Sequence, residues 1–241
     1  MRKLLTFLIL VAVLPRAEAQ VRADHDVYMA DAGMESLLYR GRSATQYNFL
    51  YNGTYFWHSP EFVSGDLRYN GKMYYDVMMN IDAATQNLIC SAHESIIKSQ
   101  PERSCVEWFT LGGARFINPS AFGYSGAPDG FFEVLYDGRA KLLRQVTKLL
   151  VNDKDGTLRA ETGYDGRYRT DVYRTFVQQV RYYYVDASGN VSPLRGRGDM
   201  LRCYKKQKRD IRKYVNSVEG NNILPLDSYF KLVMQYAEEG L

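Results

Sequence analysis

Four tripeptides constrain this chain more than anything else in it: Tyr51-Asn52-Gly53, Tyr69-Asn70-Gly71, Tyr136-Asp137-Gly138 and Tyr164-Asp165-Gly166. Asn-Gly and Asp-Gly supply the positive φ angles that two-residue hairpin turns need, so each reads as a hairpin tip. After the second tip, Met73, Tyr75, Val77, Met79 and Ile81 alternate with Tyr74, Asp76, Met78, Asn80 and Asp82, the period of a strand with one apolar and one mixed face. Shorter runs of the same kind are 108–111 with 115–118, 131–136 and 182–185. The run 141–151 also fits a helical stripe, but the Asp137-Gly138 turn before it makes it a strand paired with 131–136. From 152 to 173 the chain turns polar, with Gly156, Gly163 and Gly166, as an exposed loop or long hairpin would.

The periodicity changes after Pro193. Leu201, Tyr204, Ile211, Val215 and Val218 follow a three-then-four spacing with only Lys208 out of place, which predicts one long amphipathic helix with Asp199 as N-cap and Gly220 as stop. A second helix, capped by Asp227 or Ser228, carries Phe230, Val233, Met234 and Ala237 on one side and ends at Gly240. Strands first and helices last give an α+β fold, mainly β. The expectation is an antiparallel β-meander or partly closed barrel over residues 47–193, then two C-terminal α-helices within 194–241.

The start of the chain reads as a targeting signal. Arg2 and Lys3 precede the apolar stretch Leu4 to Leu14, and Ala17-Glu18-Ala19 has the small-x-small form that signal peptidase accepts. Residues 1–19 are therefore expected to be removed, leaving an N-terminal segment 20–46 ahead of the β domain and no transmembrane span. The chain of 241 residues carries a formal charge of +4, two units of which leave with the signal. Between residues 195 and 213, nine cations face only Asp199 and Asp210, a local net of +7, so the rest of the mature chain is acidic. The charge is polarised, not generally basic.

Several of these elements together resemble a family of uncharacterised exported proteins of the Bacteroidota. They are Tyr51-Asn52-Gly53, the run Gly65-Asp66-Leu67-Arg68-Tyr69-Asn70-Gly71-Lys72, the run Gly130-Phe131-Phe132-Glu133-Val134-Leu135-Tyr136-Asp137-Gly138, and Tyr182-Tyr183-Tyr184 before a Lys/Arg-rich helix. The resemblance spans roughly residues 47 to 238. It implies a Gram-negative cell envelope and carries over no functional residue, because the family has no assigned reaction.

Catalytic patterns are weak. His25, His58 and His93 lie far apart, and Asp24-His25-Asp26 sits in an N-terminal stretch where solvated residues are the ordinary explanation. Ser95-Ile96-Ile97-Lys98 matches S-x-x-K without the companion elements of penicillin-recognising enzymes, and Gly123-Tyr124-Ser125-Gly126 lacks the spacing of a nucleophile elbow. Asn152-Asp153-Lys154-Asp155-Gly156 resembles part of a calcium loop, but Val151 and Thr162 stand where ligands belong. Arg197-Gly198-Asp199 is better spent on a helix start than on a protruding adhesive tip. No cofactor motif emerges.

Three cysteines in an exported chain leave one unpaired. Cys90 and Cys105 flank a presumed hairpin loop, and a bridge between them would be worth about 3 kcal/mol on the chain-entropy account. Cys203 then stays a free thiol. The basic segment offers Arg202, Lys205, Lys206, Arg209, Arg212 and Lys213 for contact with anionic lipid or glycan, while the solvated face of a docked helix is the plainer alternative. Nucleic acid is disfavoured, because aromatic residues are not interleaved with these cations.

The reading is therefore an exported cell-envelope protein, periplasmic, outer-membrane-associated or extracellular, acting by binding or assembly rather than as an enzyme. Two alternatives stay open. One is a glycan- or peptide-directed hydrolase using acids such as Asp76, Asp82 or Glu133. The other is a carbohydrate-binding module with Trp57, Trp108 and the tyrosine-rich strands as its platform.

Overall fold

The computed structural model describes residues 21–92, 98–152, 174–220 and 222–240. The expected signal segment 1–19, His93, Ser95, the 153–156 calcium-like run and the expected turn at Tyr164-Asp165-Gly166 lie outside these residues.

Twelve strands form one sheet: β1 (Arg42–Ser43), β2 (Tyr51–Asn52), β3 (Val63–Tyr69), β4 (Lys72–Asp82), β5 (Asn87–Ser91), β6 (Lys98–Gln100), β7 (Val106–Leu111), β8 (Ala114–Ile117), β9 (Phe132–Asp137), β10 (Lys141–Asn152), β11 (Arg174–Val185) and β12 (Val191–Leu194). Their spatial order is β1-β6-β5-β4-β3-β7-β8-β9-β10-β11-β12, with β2 lying parallel to β11 off this path. From β3 onward consecutive strands are antiparallel neighbours except at one crossover, where 101–105 carries the chain from β6 to the far side of β3. The expected meander is present, curled but open. It is followed by helices α2 (Arg197–Cys203), α3 (Lys208–Glu219) and α4 (Leu226–Glu239), and preceded by α1 over 21–32.

The Asn70-Gly71 turn is the hairpin tip that its sequence predicts, with φ of 51° and 75°. Asp137-Gly138 also turns a hairpin, although Asp137 pairs with Lys141 across a three-residue loop. Tyr51-Asn52-Gly53 does not: Gly53 has a positive φ, but Tyr51 and Asn52 run parallel to Arg174 and Thr175. A turn residue fixes a local bend and not the partner of the strand beside it. Gly112-Gly113 makes a further tip, between β7 and β8.

Strand β4 departs from strict alternation. Tyr74 is buried with Val77, Met79 and Ile81, not opposite them. A bulge at Asp76, whose φ is 53°, with a register shift against Gly65 to Leu67, inserts one residue and reverses the faces before it. Gly65 is required there, because a Cβ would collide with the Thr110 carbonyl of β7. The resulting core inside the curl includes Leu67, Tyr74, Met79, Leu88, Phe109 and Phe116.

The curl is stitched by side-chain amides. Gln86, in the β4–β5 turn, donates to the carbonyls of Ala83 (3.0 Å) and Val146 (2.9 Å) and accepts from the Phe131 N–H and from Gln145 (both 3.3 Å). Gln145 also donates to the Asp129 carbonyl. These bonds tie the end of β4 to β10, which the strand order places far apart.

Helices α2–α4 cover one face of the β9–β12 end, where Met200, Ile211, Val215, Phe230 and Val233 pack on Leu142 and Leu194. The opposite face carries Ile117, Phe132, Leu143 and Tyr183. The predicted single helix 201–218 is broken at Tyr204, with a 3-10 turn over Lys205–Gln207 before α3. Tyr204 leaves the helical conformation (φ −115°, ψ 51°), meets the Tyr184 ring edge-on and donates from its hydroxyl to Glu238. Asp199 lies inside the first turn of α2, where its carboxylate accepts from the Arg195 N–H (2.8 Å), and Gly196 holds the N-cap position. Helix α4 starts one residue before the predicted cap, with Pro225 at N-cap, while Gly220 and Gly240 end α3 and α4 as expected.

On its outer side β11 is flanked by β2 at 174–175 and by β12 at 182–185, so 176–181 has no strand neighbour there among the described residues.

Candidate functional site

The six predicted cations are all exposed along one stretch of chain, 202–213. Lys205 and Lys206 project from the 3-10 turn, Arg209, Arg212 and Lys213 from α3, and Arg202 from α2; all are exposed. Arg202 pairs with Asp199. The other five have no ion pair among the described residues. The reverse side of the segment is committed to packing: Ile211 and Val215 are buried, and Tyr214 stacks on Tyr236 of α4 at 4.5 Å. Arg197 does not join these exposed cations. It forks onto Glu219 (3.0 and 2.6 Å), donates to the Leu224 carbonyl and lies over the Tyr229 ring, so the Arg-Gly-Asp tripeptide is part of the helix start. The Arg197 hydrogen bonds, with a backbone bond from Leu224, hold the Glu219 carboxyl below its usual range.

The acids proposed for hydrolysis do not converge. Asp76 is exposed and paired with Arg22, and Glu133 is held by Arg144 of β10, which also reaches Asp227 of α4. Asp82 is buried, accepting from Ala84 and Thr85 N–H and from the Tyr47 hydroxyl. Asp76 and Asp82 are six residues apart on one strand, about 20 Å. The two tryptophans are also separated: Trp57 packs on Phe116 in the inner core, whereas Trp108 belongs to the opposite face beneath Arg115.

The N-terminal stretch is a docked helix, not a solvated tail. His25 accepts from the Tyr75 N–H through Nε2 and meets Asp26 through Nδ1, so both ring nitrogens are engaged. Among the described residues no group of three or more metal-capable side chains occurs, and no helix is long and apolar enough to cross a membrane.

Cys90, Cys105 and Cys203 are free thiols. Cys90 and Cys105 do not flank a hairpin: the chain between them passes through β6 and the crossover, and in the sheet β4 and β3 separate β5 from β7. Cys90 is completely buried, and burial pushes its thiol well above the ordinary range. Cys203 donates to the Asp199 carbonyl, and burial, then Asp199, raises its pKa as well. Neither is an activated nucleophile.

A cleft absent from the sequence reading lies where the segment 43–48 crosses the β5–β6 end of the sheet. It measures about 490 Å³, with Phe56 and Ile89 below and Tyr47, Tyr51, Tyr55 and Lys98 around it. The Tyr47 ring touches Tyr55 (4.5 Å), Phe176 (5.1 Å), Phe49 (5.9 Å) and Tyr51 (6.2 Å). Burial, and then Asp82, raises the Tyr47 and Tyr55 hydroxyls above the usual tyrosine range, although Tyr51 precedes Asp82 as a cause at Tyr55. The one signal in the sequence was the density of tyrosines between 47 and 55.

The chain matches no protein-family model, no curated protein and no solved structure.

Proposed function

We propose that this is an exported cell-envelope protein that works by binding, and that the cationic face of α2 and α3 docks on anionic lipid headgroups. One observation carries this reading: Lys205, Lys206, Arg209, Arg212 and Lys213 are exposed, without an ion pair among the described residues, on a segment whose apolar side chains are used up in packing. Each cation near an anionic bilayer contributes about 1 kcal/mol, and the attraction fades within a Debye length, so five suffice for salt-sensitive attachment. Export agrees with the signal-like residues 1–19 and with the Bacteroidota-type resemblance.

Sedimentation of the mature chain with phosphatidylglycerol vesicles, and with phosphatidylcholine vesicles as control, tests the docking. Binding to the anionic vesicles alone, lost in moderate salt and in the Lys205→Glu/Arg209→Glu/Lys213→Glu variant, is the expected result. Equal sedimentation with both vesicles, or with neither at low salt, overturns it. N-terminal sequencing of envelope-derived protein checks the export step, which requires a first residue of Gln20.

A further inference from the structure

The cleft beside Tyr47 has a wall of aromatic rings that is in place before any ligand arrives. Its wall is fixed at both ends. Ser43 is paired with Ser99, and the Ala44 N–H donates to the Lys98 carbonyl (3.0 Å), which pins the segment to β6. At the other end the Tyr47 hydroxyl donates to Asp82 (3.0 Å), a carboxylate that two backbone N–H groups already orient. The rings of Tyr47, Tyr51 and Tyr55 are thereby held against one another and against Phe176 while each stays half-buried, so part of each remains open. An aromatic surface that is rigid before binding loses little side-chain entropy when a ligand arrives.

Several polar groups in the same cleft are neutral and unpartnered among the described residues. Thr45, Gln46 and Asn48 line it, and none of their side chains makes a hydrogen bond among the described residues; the same is true of the Tyr51 and Tyr55 hydroxyls. Lys98 is the one charged residue among the described lining, and its ammonium sits 4.3 Å from the centre of the Phe62 ring. Asp82 lies beneath the cleft with its oxygens occupied and presents no free charge to it. An anionic ligand would find a single cation already engaged, a cationic ligand no exposed acid, and an acyl chain a wall broken by amides and hydroxyls. Ring faces beside amide and hydroxyl groups suit a neutral, polyhydroxylated molecule, whose C–H face lies on an aromatic ring while its edge exchanges hydrogen bonds. The volume of about 490 Å³ falls within the range of small-molecule sites, roughly 300–1,000 Å³.

We infer that this cleft binds a neutral saccharide, seated on Tyr51 and Tyr55 and hydrogen-bonded by Thr45, Gln46 and Asn48. The site is separate from the cationic face of α2 and α3, and neither depends on the other.

Ligand-observed saturation-transfer NMR on the mature chain, with maltotetraose, cellotetraose and chitotetraose as neutral probes and tetragalacturonate as the charged one, tests the inference. Transfer from at least one neutral probe is expected, with affinity falling about tenfold in Gln46→Ala/Asn48→Ala, the loss of two ordinary hydrogen bonds. Both residues are exposed, so this variant leaves the fold intact. Tyr51→Ala is expected to weaken binding at least as much, and Tyr51→Phe less. No transfer from any neutral probe up to millimolar concentration, unchanged affinity in Gln46→Ala/Asn48→Ala, or binding of tetragalacturonate alone with dependence on Lys98 would each overturn the assignment. The Lys205→Glu/Arg209→Glu/Lys213→Glu variant is expected to bind the saccharide normally.

Discussion

Inside the curled sheet, Leu67, Tyr74, Met79 and Phe109 pack behind a rim of uncharged amides, Gln86, Gln145, Asn80 and Asn118, each bonded to backbone. Beneath the helices, Phe230, Val233 and Ile211 pack behind a rim of charges: Arg197 with Glu219, Arg144 with Glu133 and Asp227, and Glu238 accepting from the Arg139 and Ala140 N–H groups. Amides keep their hydrogen bonds at any pH near neutrality and ignore salt. Carboxylates lose theirs in acid, and their ion pairs weaken with salt. The inner core should therefore resist conditions that loosen the helical layer, although both bury similar side chains.

Deleting a large ring from each core gives the strongest test. Phe109→Ala and Phe230→Ala are each expected to cost about 3–5 kcal/mol in urea unfolding. They should differ in hydrogen exchange: Phe230→Ala leaves protection in β4 and β5, whereas Phe109→Ala removes it throughout. Equal loss of protection would show that the two cores are one cooperative unit. The rims come next. Gln86→Ala strips partners from the Phe131 N–H and the Val146 carbonyl and is expected to cost about 2–3 kcal/mol, independent of pH between 5 and 8. Glu238→Ala is expected to cost about 1–3 kcal/mol and to loosen the β9–β10 turn, visible as faster exchange at Arg139 and Ala140.

Acid titration separates the rims directly. The folded-state pKa of Glu219 lies below its unfolded value, so between the two the unfolded chain binds more protons. The stability contributed by Glu219 is complete above the ordinary glutamate range and is lost as pH falls through the depressed value. Exchange at 197–219 should accelerate there before exchange in β4 does, and simultaneous loss would contradict the comparison. The smallest expected effect lies at Lys148, which is almost buried and whose pKa burial lowers. Its unfolded form holds the proton more firmly, so stability rises with pH between the lowered and the ordinary value. Lys148→Met should raise the urea midpoint slightly and abolish that rise.

Much of this architecture was legible in short-range pattern. Asn70-Gly71 specifies its own backbone, and the Asp137-Gly138 turn settled 141–151 as a strand, because such signals act on residues that are neighbours in sequence. What escaped was decided at long range. The Asp76 bulge depends on how closely β3 approaches β7 at Gly65, and the break at Tyr204 depends on Tyr184 and Glu238, which pull one side chain out of an otherwise regular helical stripe. The exposure of the cations could be read from sequence because a single amphipathic segment carries them. The cleft could not, since Gln46, Asp82, Lys98 and Phe176 meet only after the sheet has curled.

The outer side of β11 carries a last consequence. Pro193 of β12 has no N–H, so the peptide groups that bond to β12 are those of Tyr182 and Tyr184, and by alternation Gln178 and Val180 point outward between β2 and β12. Exposed peptide groups beside exposed Val177 and Val180 would ordinarily invite edge-to-edge aggregation. Here the gap, 176–181, is half the length of β11 and walled at both ends, so a long sheet edge from another molecule would strike β2 or β12 before reaching it. Two short strands, each of little stability in itself, thus keep the longest ribbon of the molecule from templating its own aggregation.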